Sequence, residues 1–223
     1  MLPLLVAFQH ADSAFPSGSF AFSNGIEGLA SLGAPLDRDG LADTIGAILR
    51  HRWATADRVA LVRAHRAESD LDAVAAVDFE MEAASVSEPL RNGSRRNGNA
   101  LLASHVRLRT EGASLLQQRI VSGRAFGHLP VVQGYLWRAL GIGEGDAVAI
   151  SGYTVATGLI TAAVRLGRIG ALEAQTVLRS VLPLVGEHAE RPIGLDARIE
   201  SFLPWVDVAA ARNTRAELRL FAN

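Results

Sequence analysis

The stretch AVAISGYTVATGLITAAV, residues 147–164, runs eighteen residues without a charge between Asp146 and Arg165. That touches the lower limit for a helix that crosses a bilayer, about 17–25 apolar residues. Its composition points elsewhere: Ser151, Thr154, Thr157 and Thr161 alternate with Gly152 and Gly158, and no aromatic belt flanks it. A helix surrounded by a globular core gives the same pattern. Gly152, Ala156, Gly158 and Ala162 would let neighbouring helices approach closely. The stretch therefore predicts a helical core with this segment at its centre.

Helical periodicity continues on both sides. Over residues 129–142, Pro130 suits a first turn, Val132, Leu136 and Leu140 form a stripe, and Gly141-Ile142 supplies a C-terminal stop with its apolar follower. Upstream, Leu41, Ile45, Ile48, Leu49 and Trp53 recur at helical spacing, followed by Val59, Leu61 and Val62. After an acidic break at residues 68–70 come Val74, Val77 and Met81, then Leu101, Leu102 and Val106, then Leu115, Leu116 and Ile120. Downstream, Leu172, Val177, Leu178 and Leu182 predict a helix ending near Pro183, and a last helix spans 206–220. No alternating strand pattern bounded by hairpin turns interrupts these segments. The expectation is an all-α fold, one compact multi-helix domain over residues 1–223, with roughly eight to ten helices of ordinary length.

Composition excludes several chemistries. The 223 residues carry a net charge of -1, without the basic excess of a generic nucleic-acid or anionic-membrane binder, so neither partner is expected. With no cysteine there is no disulfide, thiolate nucleophile, iron–sulfur cluster or Cys-ligated zinc. All 22 basic residues are arginine, so neither a Walker A lysine nor a Schiff-base lysine exists. The N-terminal MLPLLVAF lacks a basic leader region and is soon followed by Asp12, which suits a buried helix better than a signal peptide.

Motifs for catalysis are sparse. No G-x-S-x-G elbow occurs, and GIGEG at 141–145 has no preceding strand. The six histidines form neither H-x-x-x-H nor H-E-x-x-H. Glu187-His188-Ala189-Glu190 reads as a solvated helix end; the alternative is a helical enzyme using Glu187, His188 and Glu190. Between Glu88 and Arg109 five arginines (Arg91, Arg95, Arg96, Arg107 and Arg109) accompany one glutamate, and the pairs Asn92-Gly93 and Asn97-Gly98 suggest turns. An RNA-binding helical module using residues 91–109 would want stacking aromatics, and none lies between Phe79 and Phe126. A solvated or partner-facing arginine surface is favoured.

The most unusual segment is QHADSAFPSGSFAFSNGIE, residues 9–27, which sets Phe15, Phe20 and Phe22 among small polar residues. Two readings stand level. In one, the phenylalanines plug the core while Asn24 and Glu27 form a capping box on the next helix. In the other, aromatic anchors and an acidic handle shape a surface for gripping a partner.

The run from Asp12 through Phe20, with Ser23, Gly25, Ile26 and Glu27, resembles the N-terminal signature of UreF-type urease accessory proteins, approximately DSAFPTGSFAHSxGLE. Arg91, Ser94, Gly98 and Leu101 match a family R-x-x-S-x-x-x-G-x-x-L stretch. His128-Leu129-Pro130 through Ile142 resembles a central helix, and Arg219-Leu220-Phe221 a C-terminal RLF. The resemblance covers nearly the whole chain. It implies an all-α, cytoplasmic, non-enzymatic protein that forms a homodimer. Such a protein acts with a UreD/UreH-type accessory protein and a UreG-type GTPase to insert nickel into apo-urease. GTP belongs to the GTPase, nickel to the assembly, and no cofactor to this chain. By motif, Asp12, Ser13, Phe15, Pro16, Gly18, Ser19, Phe20, Gly25 and Glu27 become partner-facing candidates. Arg91, Ser94 and Gly98 follow, with helix packing or a homodimer contact as their alternative, and His128, Pro130 and Gly134 could serve structure alone. The chain departs from the family pattern at Phe22 (usually His), at Asn213-Thr214 (usually His-Glu) and at Ala171 (usually Gln). The two lost histidines argue against direct nickel ligation by this chain, or move it elsewhere.

Overall fold

The computed structural model describes residues 1–18, 22–213 and 220–221. Its helices are α1 (Leu2–Ala11), α2 (Ile26–Ser31), α3 (Arg38–Ile48), α4 (Arg58–Arg66), α5 (Leu71–Ala84) and α6 (Glu88–Arg107). They continue with α7 (Ala113–Val121), α8 (Leu129–Ala139), α9 (Glu144–Arg165), α10 (Ala171–Glu190) and α11 (Pro204–Asn213). A π-helical segment, Leu49–Asp57, joins α3 to α4 in one continuous rod. With that rod counted once, the described residues hold ten helices and no strand, as expected.

The punctuation of 129–142 is realised closely. Pro130 lies in the first turn of α8, where a missing N–H costs nothing. At the other end Gly141 takes φ +75°, and the N–H groups of Gly141 and Ile142 return to the carbonyls of Arg138 and Trp137. That pairing satisfies orphan carbonyls and turns Ile142 into the core, 1% exposed.

The 147–164 stretch becomes α9, which packs against α10, α1, α4, α8 and the π segment. It is the one described helix long and apolar enough to cross a membrane, and over half of its apolar window is buried inside the bundle. Burial on all sides is not what the structure shows. Ala147, Ile150, Ala156, Leu159 and Ala163 face the core, whereas Tyr153, Thr154, Thr157 and Gly158 form a half-exposed stripe. Thr154 and Thr157 donate their hydroxyls to backbone carbonyls one turn back, so the stripe leaves them no unmet bond. Close approach occurs at Gly152, where a Cβ would come within 2.6 Å of Trp53. Trp53 is fully buried and donates its indole N–H to Ser151 Oγ at 3.1 Å. Gly158 has open space instead.

Three expectations are corrected. The Asn-Gly pairs are not turns: both lie inside α6, since Gly93, Asn97 and Gly98 sit on its buried face. Pro183 does not end its helix; α10 continues to Glu190, because Pro183 points to solvent while Val177, Val181 and Val185 carry one buried stripe across it. The C-terminus of α10 is closed by Arg58, whose Nη2 donates to the Arg191 carbonyl. A guanidinium there complements the negative end of the helix dipole, which accounts for Arg58 being 4% exposed without an ion pair among the described residues. Third, Asn24 and Glu27 form no capping box; Gly25 occupies the N-cap of α2 in a left-handed conformation, with no side-chain cap. The expected last helix is described as far as Asn213.

Candidate partner-facing site

The signature segment divides into two parts. The first, residues 12–18, leaves the end of α1 and lies across α6. Asp12 Oδ1 accepts the Ala14 N–H at 2.9 Å, and the Phe15 N–H returns to the Asp12 carbonyl. Ser104 Oγ donates to the Pro16 carbonyl at 2.8 Å. Gly18 adopts φ +77° with its α-carbon pressed toward Ala100, where a Cβ would come within 2.8 Å. Phe15 is half-buried against the imidazoles of His10 and His105, at centroid distances of 4.6 and 5.6 Å. Asp12, Ser13, Pro16 and Gly18 are exposed. Ser19 and Phe20 lie outside the described residues.

The second part, residues 22–27, turns inward. Phe22 is 7% exposed and rests against the position of Gly93. Gly25, at φ +96°, abuts Val206 of α11. Glu27 is buried rather than an exposed handle: its carboxylate accepts the Asn213 side-chain N–H at 2.9 Å and the Leu220 N–H at 2.5 Å. It therefore ties the start of α2 to the C-terminal region. This corrects the expectation of Gly25 and Glu27 as surface residues of the lone chain. Phe22 and Asn213, two departures from the family pattern, both occupy this interior; Ala171 is exposed at the start of α10, and Thr214 and Arg219 lie outside the described residues.

Arg91, Ser94 and Gly98 pack inside the chain. Arg91 donates to the Ser85 carbonyl at 2.9 Å and its Nε lies 3.2 Å from Glu82. A side chain at Gly98 would collide with the Gly127 carbonyl. Ser94 Oγ accepts the Leu129 N–H and faces His128 Nδ1, each at 3.2 Å. The reason for this convergence is Asp78, 1% exposed, whose carboxylate accepts the N–H groups of Phe126, Gly127 and His128 at 2.6 to 2.9 Å. His128 Nε2 meets Glu82 at 2.8 Å, so Nε2 carries the proton, and Ser94 donates to Nδ1. Burial lowers the His128 pKa despite the nearby Asp78 and Glu82 carboxylates. Burial alone would raise Glu82, but its bonds to Arg95 and His128 outweigh it and leave the carboxyl below its ordinary range. Arg95 also stacks 4.4 Å above Phe126. Sequence reasoning missed Asp78 and Glu82; the available signal was a pair of carboxylates four residues apart, on one face of α5.

A cavity of about 890 Å³ opens between α1, residues 12–17, α6, α8 and α9. Asn97 Oδ1 and Trp137 Nε1 line it, both buried and without a hydrogen-bond partner. Arg52 and Asp57 form another part of its wall, 3.8 Å apart. Burial raises the Asp57 pKa, with Arg52 acting against it. Residues five apart do not share an α-helical face, whereas the i→i+5 repeat of a π helix brings them together. That pair was accordingly invisible to helical-wheel reasoning.

The alternatives do not assemble. Glu187 pairs with Arg191 at 2.9 Å, and Glu190 is exposed. His188 tucks edge-on against Trp53 and lies 3.4 Å from Arg58, with its pKa lowered by burial and by the Arg58 charge. Among the described residues no three His, Asp or Glu side chains are grouped to hold a metal. Of the arginines at 91–109, Arg91 and Arg95 are engaged with Glu82.

Residues 36–182 match the family model described as UreF. The urease accessory protein UreF of Trichodesmium erythraeum is 28% identical over 98% of this chain and 96% of its own length. Proteins of the same name from Yersinia enterocolitica and Yersinia pseudotuberculosis are each 31% identical, over 99% of this chain and 98% of their own. All are named as accessory proteins rather than as enzymes.

Proposed function

The chain belongs to the UreF family of urease accessory proteins, which are not enzymes, and from that premise we propose that it is a cytoplasmic, homodimeric scaffold for urease maturation. It joins a UreD/UreH-type accessory protein to a UreG-type GTPase, so that nickel reaches apo-urease. Nickel is cargo of the assembly, and GTP is bound and hydrolysed by the GTPase.

The observation that supports this reading is the exposed ridge Asp12, Ser13, Pro16 and Gly18, shaped from below by Ser104, Ala100 and the two histidines. A preorganised ridge loses little conformational freedom on docking. Its single carboxylate, Asp12, supplies charge selectivity toward a basic partner surface. Arg91, Ser94 and Gly98 contribute indirectly, by fixing α6 as the floor beneath the ridge. Glu27 acts from inside, holding the C-terminal region in place.

Co-expression of the tagged chain with the two partners, with the captured mass read by light scattering, tests the proposal. The expected result is an assembly containing all three. The double variant Asp12→Arg, Ser13→Arg should fold normally and lose roughly tenfold or more in capture, as a reversed interface charge does. A well-folded wild-type chain that captures neither partner would overturn the scaffold, and undiminished capture by the variant would remove the ridge from it.

A further inference from the structure

Helix α1 is lightly held, which corrects the expectation that the N-terminal segment forms a buried helix. Ala7 and His10 are its buried residues, whereas Leu2, Leu5 and Phe8 are more than half exposed. His10 joins α1 to α6 through a ring-to-ring contact, Nε2 to Nε2 at 3.3 Å, with His105. The two rings are stacked 5.1 Å apart, Phe15 leans on both, and Trp137 presents its edge to His10.

Hydrogen-bond bookkeeping leaves one arrangement for the neutral pair. His10 Nδ1 lies 2.7 Å from the Val6 carbonyl, an acceptor only, so Nδ1 carries the proton. The Nε2 of His10 is then a lone pair, and His105 Nε2 must donate to it. The remaining nitrogen, His105 Nδ1, accepts from the Thr110 hydroxyl at 2.9 Å. One added proton can be passed along this chain only by switching the His105 tautomer, and it stays buried without a counter-charge. A second leaves two N–H groups face to face.

The charged groups of the surrounding elements do not compensate. Asp12, just past α1, uses its carboxylate on Ala14. Arg107 and Arg109 at the end of α6 bring the wrong sign, and Arg138 on α8 pairs with Glu68. Glu111 lies before α7, beside Tyr135. On α9, Asp146 and Arg165 stand at the two ends of the helix. None of these forms an ion pair with either imidazole among the described residues.

We propose that His10 and His105 form a proton-operated latch: neutral, the pair clamps α1 and Phe15 onto α6, and charged, it releases α1 and residues 12–18 from the cavity they cover. The titration behaviour agrees. Burial, then the charge of His10, lowers the pKa of His105 from 6.5 to about 4. Burial lowers His10 as well, against the opposing bond to Val6. Because both are lowered, the clamp is fully present above the ordinary histidine range and is lost as pH falls from 6.5 toward about 4. The latch concerns this chain alone and stands whether or not residues 12–18 contact a partner.

Long-range ¹H–¹⁵N spectra of the imidazoles in the full chain, with hydrogen exchange over residues 2–18, test it. At about pH 7.5, where both rings are neutral, His10 should appear as the Nδ1–H tautomer and His105 as Nε2–H. Protection of α1, corrected for intrinsic exchange, should fall about tenfold or more as the pair charges, while α8 keeps its own. His105→Gln, which cannot charge, should flatten that dependence, and His10→Gln serves as the second variant. Ordinary titration near 6.5 of both rings, the opposite tautomers, or an unchanged acid loss of α1 in His105→Gln would each overturn the latch.

Discussion

Residues 12–18 and 22–27 belong to one signature, yet they do opposite work. The outer half puts polar and turn residues on the surface and rests on α6 through a few tethers. The inner half disappears into the bundle, where Phe22 fills space beside Gly93 and Glu27 bonds to Asn213 and Leu220. A contiguous motif is therefore not a contiguous surface. The difference also shows why charge type is a poor guide to exposure: Asp12 and Glu27 carry the same charge, and only the first reaches solvent.

Substitutions can sharpen or break this division. The largest effect is expected just past the inner half, at the next residue of α2. Gly28→Ala would drive a Cβ into the Ala209 carbonyl, where α2 crosses α11 with no room to yield. The loss should be about 3 kcal/mol in urea unfolding; a change below about 0.5 kcal/mol would show that α2 and α11 are not packed so closely. Next comes Glu27→Ala, which strands the buried Asn213 side-chain N–H and leaves the part-buried Leu220 N–H without its acceptor. It should cost about 2 kcal/mol, with exchange rising first at α11. Normal stability paired with failed assembly would instead return Glu27 to the surface role. The outer half should respond far less. Ser104→Ala deletes one exposed bond to Pro16 and should cost about 0.5 kcal/mol, yet weaken partner capture by loosening the ridge. If capture were unaffected, the tether would be incidental.

Much of the architecture was legible beforehand, because amphipathic periods report which side of a helix meets the core. The stop at Gly141-Ile142 was readable since a left-handed residue followed by an apolar one closes a helix locally. Local rules failed where tertiary burial overrode them. Pro183 looks like a terminator until a buried stripe continues past it, and the Asn-Gly pairs look like turns until α6 needs small residues beneath Phe22 and the 127–129 backbone. The site was half legible: its composition stood out, but which residues face outward did not. Asp78 and Glu82 escaped because their partners are backbone and side-chain groups on other elements, from Arg91 and Arg95 of α6 to the 126–128 backbone, and Arg52 with Asp57 escaped because only a π helix aligns them.

Helix content, the absence of thiol and lysine chemistry, and family membership were determined by the order of residues alone, since propensity, periodicity and motif are local properties. Tertiary structure decided the rest: which half of the signature is surface, that Glu27 holds the chain's own C-terminal region, and that His10 meets His105 across 95 positions. Those outcomes depend on burial and on which partner lies across a helix interface. No local window of sequence contains that information, because the energy of a buried carboxylate or imidazole is set by groups brought to it only by folding.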